Sequence, residues 1–296
     1  MSSGRRGHVA RLIAACVATN FALGQPAVAK TFMWKVETKS AEVYLLGSVH
    51  VAEKNFYPLS DTINNAFAAC ENVVFEIPLD IRTQMESSQK MLDAAMYPAG
   101  DSLDKHVSPD LYAALTAYAA SNQLGIAFLR RTRPWFVAVT VTFHELGRQG
   151  FNPMFGIDMH FANRSDDKTV LALETVESQV AVFSEMDPGA QEAFLEQALS
   201  QTDAAAAQLR AMLKAWSAGD GPGLQKIMVA QLKEEPRFEP IYKAMLTDRN
   251  ILMVKKVEGY LKAGGTYFVV VGAGHIVGDD GIIELLRAKK YRVRQQ

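Results

Sequence analysis

The amino-acid sequence predicts an α/β fold on three observations. Its opening, residues 32–77, reads as strand, strand, helix, strand. Near the other end, Thr266 to Val271 (Thr-Tyr-Phe-Val-Val-Val) is β-branched, aromatic and apolar on both faces, the pattern of a strand buried in the middle of a sheet. Between them the apolar residues recur mostly at helical spacing.

Taken in order, Phe32 to Glu37 and Glu42 to Leu46 flank Thr38-Lys39-Ser40 and predict a hairpin. Pro58 to Cys70 places Leu59, Ile63, Ala66, Phe67 and Cys70 on one helical face, with Ser60 as N-cap. Asn72 to Ile77 is a strand stopped by Pro78, so the preceding helix predicts a parallel crossover. Ser108-Pro109 opens a helix to about Gln123, and Gly125 follows it. Pro134 opens another, apolar almost all round from Trp135 to Leu146 and therefore buried. Gly156 to Asn163 is a short helix and Lys168 to Leu173 a strand. Asp187-Pro188 starts a long helix reaching about Trp216, and Gly219 to Gly223 is a break. Helices then cover Leu224 to Lys233, Pro240 to Leu246 and Asp248 to Lys262, ended by Gly264-Gly265. After the strand at 266–271, a helix from Gly281 to Ala288 and a strand from Tyr291 to Arg294 close the chain.

The composition narrows the function classes. Of 296 residues 49% are apolar, with 31 Lys+Arg against 32 Asp+Glu. That is a globular composition with no basic excess, which argues against a disordered chain and against a nucleic-acid partner. Residues 1–29 differ from the rest. Arg5, Arg6 and Arg11 precede an apolar stretch that ends in Ala27-Val28-Ala29. This is the pattern of a signal peptide cleaved after Ala29, which implies a periplasmic or secreted protein, with 30–296 as one α/β domain. Lipidation at Cys16 and an uncleaved anchor are the rival readings. No later apolar run is long enough to span a bilayer. Cys70 then remains alone and reads as a buried small hydrophobe. Oligomeric state leaves no mark in the sequence.

The two ends carry one device. Leu45-Leu46-Gly47-Ser48-Val49-His50 and Val270-Val271-Gly272-Ala273-Gly274-His275 each run a buried strand into Gly-x-x-His. Ligands in open α/β sheets bind at the carboxyl ends of strands, and a neutral imidazole is the commonest metal-ligating side chain. Each histidine can also be an ordinary strand-end residue. Glu76, inside Val73-Val74-Phe75-Glu76-Ile77, needs a partner or a strand-end position; beside His50 it would serve as ligand or general base. Glu174 repeats the pattern after Val170 to Leu173. Asp158 reads first as a helix cap or first-turn acid. Arg249 is either helix surface or a cation that holds a carboxylate or oxyanion.

Taken together, Tyr44 to His50, Val73 to Glu76, Gly156-Ile157-Asp158, Leu173-Glu174-Thr175 with Gln179, Asp248-Arg249-Asn250, and Val271 to His275 with Gly278 resemble the TraB/GumN family. The Tiki proteins and the erythromycin-esterase and ChaN-like groups are related to it. The resemblance covers residues 32–294. It implies a central mixed β-sheet formed by the N- and C-terminal strands, with a large helical insertion between them. Carried over from the Tiki metalloproteases, it implies that His50, His275 and Glu76 bind a divalent metal such as Zn, Mn or Co. Glu76 and Glu174 become the catalytic acids and Arg249 the anion stabiliser. The expected function is therefore an exported metal-dependent hydrolase, first of all a peptidase, acting on a peptide or small-molecule substrate. The alternatives are a metal-free esterase-like hydrolase and a non-enzymatic protein that binds haem or a peptide.

Overall fold

The computed structural model describes residues 30–202, 204–234 and 238–296. The leader read at 1–29, with Cys16 and the Ala29 cleavage point, lies outside them.

Strand β1 (Met33–Glu37) turns through Thr38-Lys39-Ser40 into β2 (Ala41–Ser48), with Met33 opposite Leu46 in an antiparallel pair. The Thr38 hydroxyl accepts from the Ala41 N–H at 3.1 Å and closes the turn. Helix α1 (Asp61–Ala69) is capped by the Ser60 side chain and leads into β3 (Asn72–Phe75). The crossover is parallel, as expected, but β2 and β3 are not neighbours. Strand β5 (Gly265–Gly272) lies between them, parallel to both, and the sheet order is β4-β3-β5-β2-β1-β6. Strands β4 (Thr169–Ala172) and β6 (Val293–Gln295) form the edges. The apolar character of Val269, Val270 and Val271 is explained by this central place, since all three are buried.

The helices fall into two packing groups. Helices α1, α6 (Ile157–Ala162), α9 (Ala205–Ser217), α12 (Asp248–Ala263) and α14 (Ile282–Ala288) bury their apolar faces in the core that contains the sheet. Helices α3 (Pro109–Ser121), α5 (Pro134–Arg148) and α8 (Pro188–Ser200) build a separate core around Leu115, Val141 and Leu195, together with the short α4 (Ile126–Leu129). The long helix expected from Asp187 to Trp216 is therefore two. Leu195 of α8 points to the helical core while Leu209, Leu213 and Trp216 of α9 belong to the sheet core. A straight helix cannot serve both directions, and the chain breaks at Gln201-Thr202.

Besides the one-turn α4 and α13 (Ala273–Ile276), two longer helices have no counterpart in the expected elements. In α2 (Ile81–Ala95) only Ala95 is fully buried, and the helix packs chiefly on α7 (Val176–Ser184). Both have clear caps, Asp80 accepting from the Thr83 N–H and a Thr175–Ser178 capping box. After α10 (Gly221–Glu234), α11 (Glu239–Tyr242) passes through a π-helical turn, Lys243–Thr247, directly into α12. The short α13 (Ala273–Ile276) follows β5 without a gap. No helix among the described residues is long and apolar enough to cross a membrane.

Candidate functional site

Four parallel strands, β2, β5, β3 and β4, end at the same edge of the sheet. Their ends carry His50, His275, Glu76 and Glu174. The register sets Ser48 beside Gly272, so the two Gly-x-x-His segments leave adjacent strands staggered by one residue. The point where a Cβ on Gly272 would sit is 3.2 Å from Glu76 Oε1, 3.5 Å from His50 Nε2 and 3.5 Å from His275 Cδ2. Three candidate side chains thus converge on one spot that stays open because residue 272 is glycine.

Each histidine is held from behind. His275 is buried, and its Nδ1 lies 2.6 Å from Asn250 Oδ1. Asn250 spends its Nδ2 on the carbonyl of Asp280 at 2.8 Å, so its oxygen faces the ring and His275 carries its proton on Nδ1. Nε2 is left as a bare lone pair. Burial pushes this imidazole down to about 4, keeping it neutral at pH 7. His50 Nδ1 lies 3.2 Å from Asp158 Oδ2. Asp158 reaches it because Gly156 lets the start of α6 touch the His50 backbone; a Cβ there would be 2.5 Å from the His50 carbonyl oxygen. Burial opposes charge on His50, but the Asp158 carboxylate outweighs it and raises the ring to about 9. The ring is 57% exposed, so water screens part of that attraction.

The carboxylates are clamped by one guanidinium. Arg249 donates from Nε to Glu174 Oε1 at 2.8 Å and from Nη2 to Glu174 Oε2 and Glu76 Oε2, both at 2.7 Å. Its Nη1 donates to the Met245 carbonyl at 2.8 Å, inside the π-helical turn. Gln179 donates to Glu76 at 3.0 Å and to Glu174 at 3.2 Å. Glu76 Oε1 accepts from the Gly272 N–H at 2.7 Å and sits 3.9 Å from His275 Nε2. Burial alone would raise the Glu76 carboxyl; His275, His50, Arg249 and the Gly272 N–H hold it down to about 2. With His275 neutral at pH 7, Arg249 and His50 carry that effect there.

A cavity of about 510 Å³ stands over this edge. Ser48, His50, Glu76, Asp158, Gln179 and Arg249 form its polar floor. Of the four buried side-chain polar atoms without a hydrogen-bond partner among the described residues, two, Ser48 Oγ and Asp158 Oδ1, belong to this floor. A larger cavity of about 850 Å³ opens behind Glu174 and Arg249, between α7 and α12, but neither histidine lines it.

This arrangement can be set against known proteins. The sequence model of the TraB/PrgY/gumN family matches residues 32–295. The chain belongs to this family. Among relatives, this TraB/PrgY/gumN chain is similar to "Uncharacterized protein YbaP" of Escherichia coli strain K12, with 23% identity over 248 residues, 82% of this chain and 87% of the relative. The protein of the same description from Shigella flexneri matches to the same extent. No solved structure matches it.

All five residues singled out in the sequence, His50, Glu76, Glu174, Arg249 and His275, meet at this edge of the sheet. Their contacts differ in detail from the expectation. Glu174, expected as a catalytic acid, meets Arg249 and Gln179, and Arg249, expected as anion stabiliser, points four donor contacts at protein acceptors. Asp158 is indeed a first-turn acid of α6, and from there it also holds His50. Ser48 and Asn250 went unassigned. Asn250 could have been found from its buried place on α12; Ser48 leaves no signal beyond its position inside the first Gly-x-x-His. His106 pairs with Asp101, and His160 stacks on Tyr57, both away from this floor.

Proposed function

We propose that the chain is a hydrolase of carboxylic amides or esters, the peptide bond included, and that it works with a divalent metal. The observation that carries this reading is the matched treatment of the two histidines. Each has Nδ1 engaged by a neighbouring oxygen, Asp158 or Asn250, which leaves Nε2 free; His275 Nε2 lies 3.9 Å from Glu76 Oε1, and His50 Nε2 borders the same open spot at Gly272 as that oxygen. Metal-binding imidazoles are oriented in this way. Charge agrees: three carboxylates, Glu76, Asp158 and Glu174, face Arg249 and the protonated His50, leaving a net negative charge that rises further when a divalent cation displaces the His50 proton. Among the described residues no three His, Cys, Asp or Glu side chains already stand in metal-holding geometry. The fit therefore rests on donor chemistry, with His50 Nε2, His275 Nε2 and Glu76 Oε1 as the donors. Zinc, manganese and cobalt all accept such a set.

A metal there would acidify a water and polarise the acyl carbonyl. The chain's own groups do the rest. Asp158 Oδ1 is a free acceptor for the water's proton, and Ser48 Oγ is a free donor for the carbonyl oxygen as negative charge grows on it. Arg249 and Gln179 act as positioning residues that hold Glu76 and Glu174 in place, and Arg249 helps keep Glu76 ionised. In the reaction the water oxygen bonds to the acyl carbon. The bond to the leaving nitrogen or oxygen breaks with its electron pair, and that atom takes up the proton. The products are a carboxylic acid and an amine or alcohol.

The His50–Asp158 pair favours one other mechanism, in which His50 is the general base without a metal and works as pH rises towards about 9, where the ring loses its proton. Exhaustive chelation separates the two. The metal reading expects activity on an ester and peptide panel to vanish and to return on adding zinc, manganese or cobalt. Full activity in metal-free protein would refute it.

A further inference from the structure

The cavity above the floor is far more apolar than a peptide groove. Its walls are Met91 from α2, Val139 and Phe143 from α5, Phe183 from α7, Phe194 from α8 and Met245. The one hydroxyl among the walls, Thr142, donates to the Ala138 carbonyl of its own helix at 2.9 Å. Helical backbone offers nothing further, because its amides are spent within the helix. The helical walls therefore offer a ligand no free polar atom, and the polar side chains of the lining stand at the floor. A peptide strand brings an N–H and a C=O at each residue, about every 3.8 Å. Inside these walls they would be stripped of water and left unpaired.

We propose that this cavity takes a single aliphatic acyl chain, with its carbonyl at the floor beside Ser48, Glu76 and the two histidines. This rests on the hydrolase reading and narrows its substrate to fatty acyl esters or amides. Four observations agree on it. The walls are apolar along their length, and two of them are methionines, whose flexible thioethers adapt to a flexible chain. Polar groups stand at one end only, where an acyl compound is polar. Ser48 Oγ is unpaired at that end and can donate to the acyl carbonyl, while the unpaired Asp158 Oδ1 can accept from an amide N–H or from the attacking water. Phe143 lines the cavity and is also 47% exposed, so the apolar lining continues to the outside.

The test joins a binding and a kinetic measurement on the full chain. A neutral, non-hydrolysable probe, a dansyl-labelled long-chain methyl ketone, is titrated into the protein and displaced with 2-undecanone. Hydrolysis of p-nitrophenyl acetate, butyrate, octanoate and decanoate is followed in parallel. The probe is expected to bind with a blue shift, and kcat/KM to rise roughly three- to fourfold for each methylene until the cavity is full. Val139→Trp, which fills the cavity, is expected to cut the decanoate-to-acetate ratio at least about tenfold, while Phe194→Ala, which enlarges it, moves the optimum to longer chains. Circular dichroism and melting curves show that each variant folds, and the two shift in opposite directions. The proposal is overturned if the probe does not bind and the ester rates are flat with length, even where peptides are cleaved; the hydrolase reading would then survive alone. Tight probe binding that both variants alter as stated, with no turnover of any ester, supports the acyl cavity and rejects the hydrolase reading.

Discussion

At the residue scale the site is held together by Arg249 and Asn250. Removing the guanidinium strands two carboxylates that have little water. Arg249→Met is expected to cost about 3–5 kcal/mol and to lower the melting temperature by on the order of 10 °C. Adding Glu174→Gln should recover part of the loss, and differential scanning calorimetry of the three proteins decides it. Asn250→Ala frees the His275 ring to turn or to change tautomer, and zinc affinity is expected to fall roughly 10- to 100-fold by isothermal titration; unchanged affinity would detach Asn250 from the site. For His50 the folded value, about 9, lies above the ordinary 6.5. The His50–Asp158 pair therefore contributes stability fully below about pH 6.5 and loses it as pH rises through about 9. In metal-free protein, an NMR titration should show the His50 ring well above 6.5 and Asp158→Asn should bring it down; equal midpoints in the two proteins would contradict the pairing. Glu76 was legible because a carboxylate inside Val-Val-Phe-Glu-Ile demands a partner. The identity of that partner was not, since Arg249 is 173 residues away and looks like any other helix arginine.

At the scale of elements, caps and apolar stripes were readable and packing directions were not. Ser60, Ser108, Asp187 and the prolines after Ser108 and Asp187 mark helix starts that the structure has. The break between α8 and α9 is invisible locally because either half is a good helix; only the existence of two cores decides it. Helix α2 was missed because it buries almost nothing, with Ile81 and Met85 both exposed. The π-helical turn ahead of α12 matters more than its length, since it presents the Met245 carbonyl to Arg249. Such turns occur often at functional sites. Helix α6 depends on Gly156 for its approach to His50. Gly156→Ala would force a methyl against the His50 carbonyl at 2.5 Å. It is expected to destabilise by about 1–3 kcal/mol and to separate Asp158 from His50, measurable as loss of the raised His50 midpoint by the same titration.

At the scale of the molecule, the chain brings its two ends together to make one edge. A βαβ start was readable from residues 42–77, and the resemblance of the whole sequence to the TraB/GumN family carried the sheet and its helical insertion. The insertion of β5 between β2 and β3 was not readable, because strand order depends on which long-range pair forms and leaves no periodicity behind. Yet that insertion is what places His275 beside His50 and Glu76. The α2, α5, α7 and α8 helices then roof the same edge and set its apolar cavity. The claim at the centre of this account is that the paired histidines perform hydrolysis at this floor. It is tested most directly by comparing turnover of the ester and peptide panel by the parent chain with that by His50→Ala and His275→Ala, at matched melting temperatures. The account predicts that the parent turns over and that each variant loses on the order of a hundredfold or more in kcat/KM. Variants that keep the parent's rate on every substrate it cleaves would contradict it.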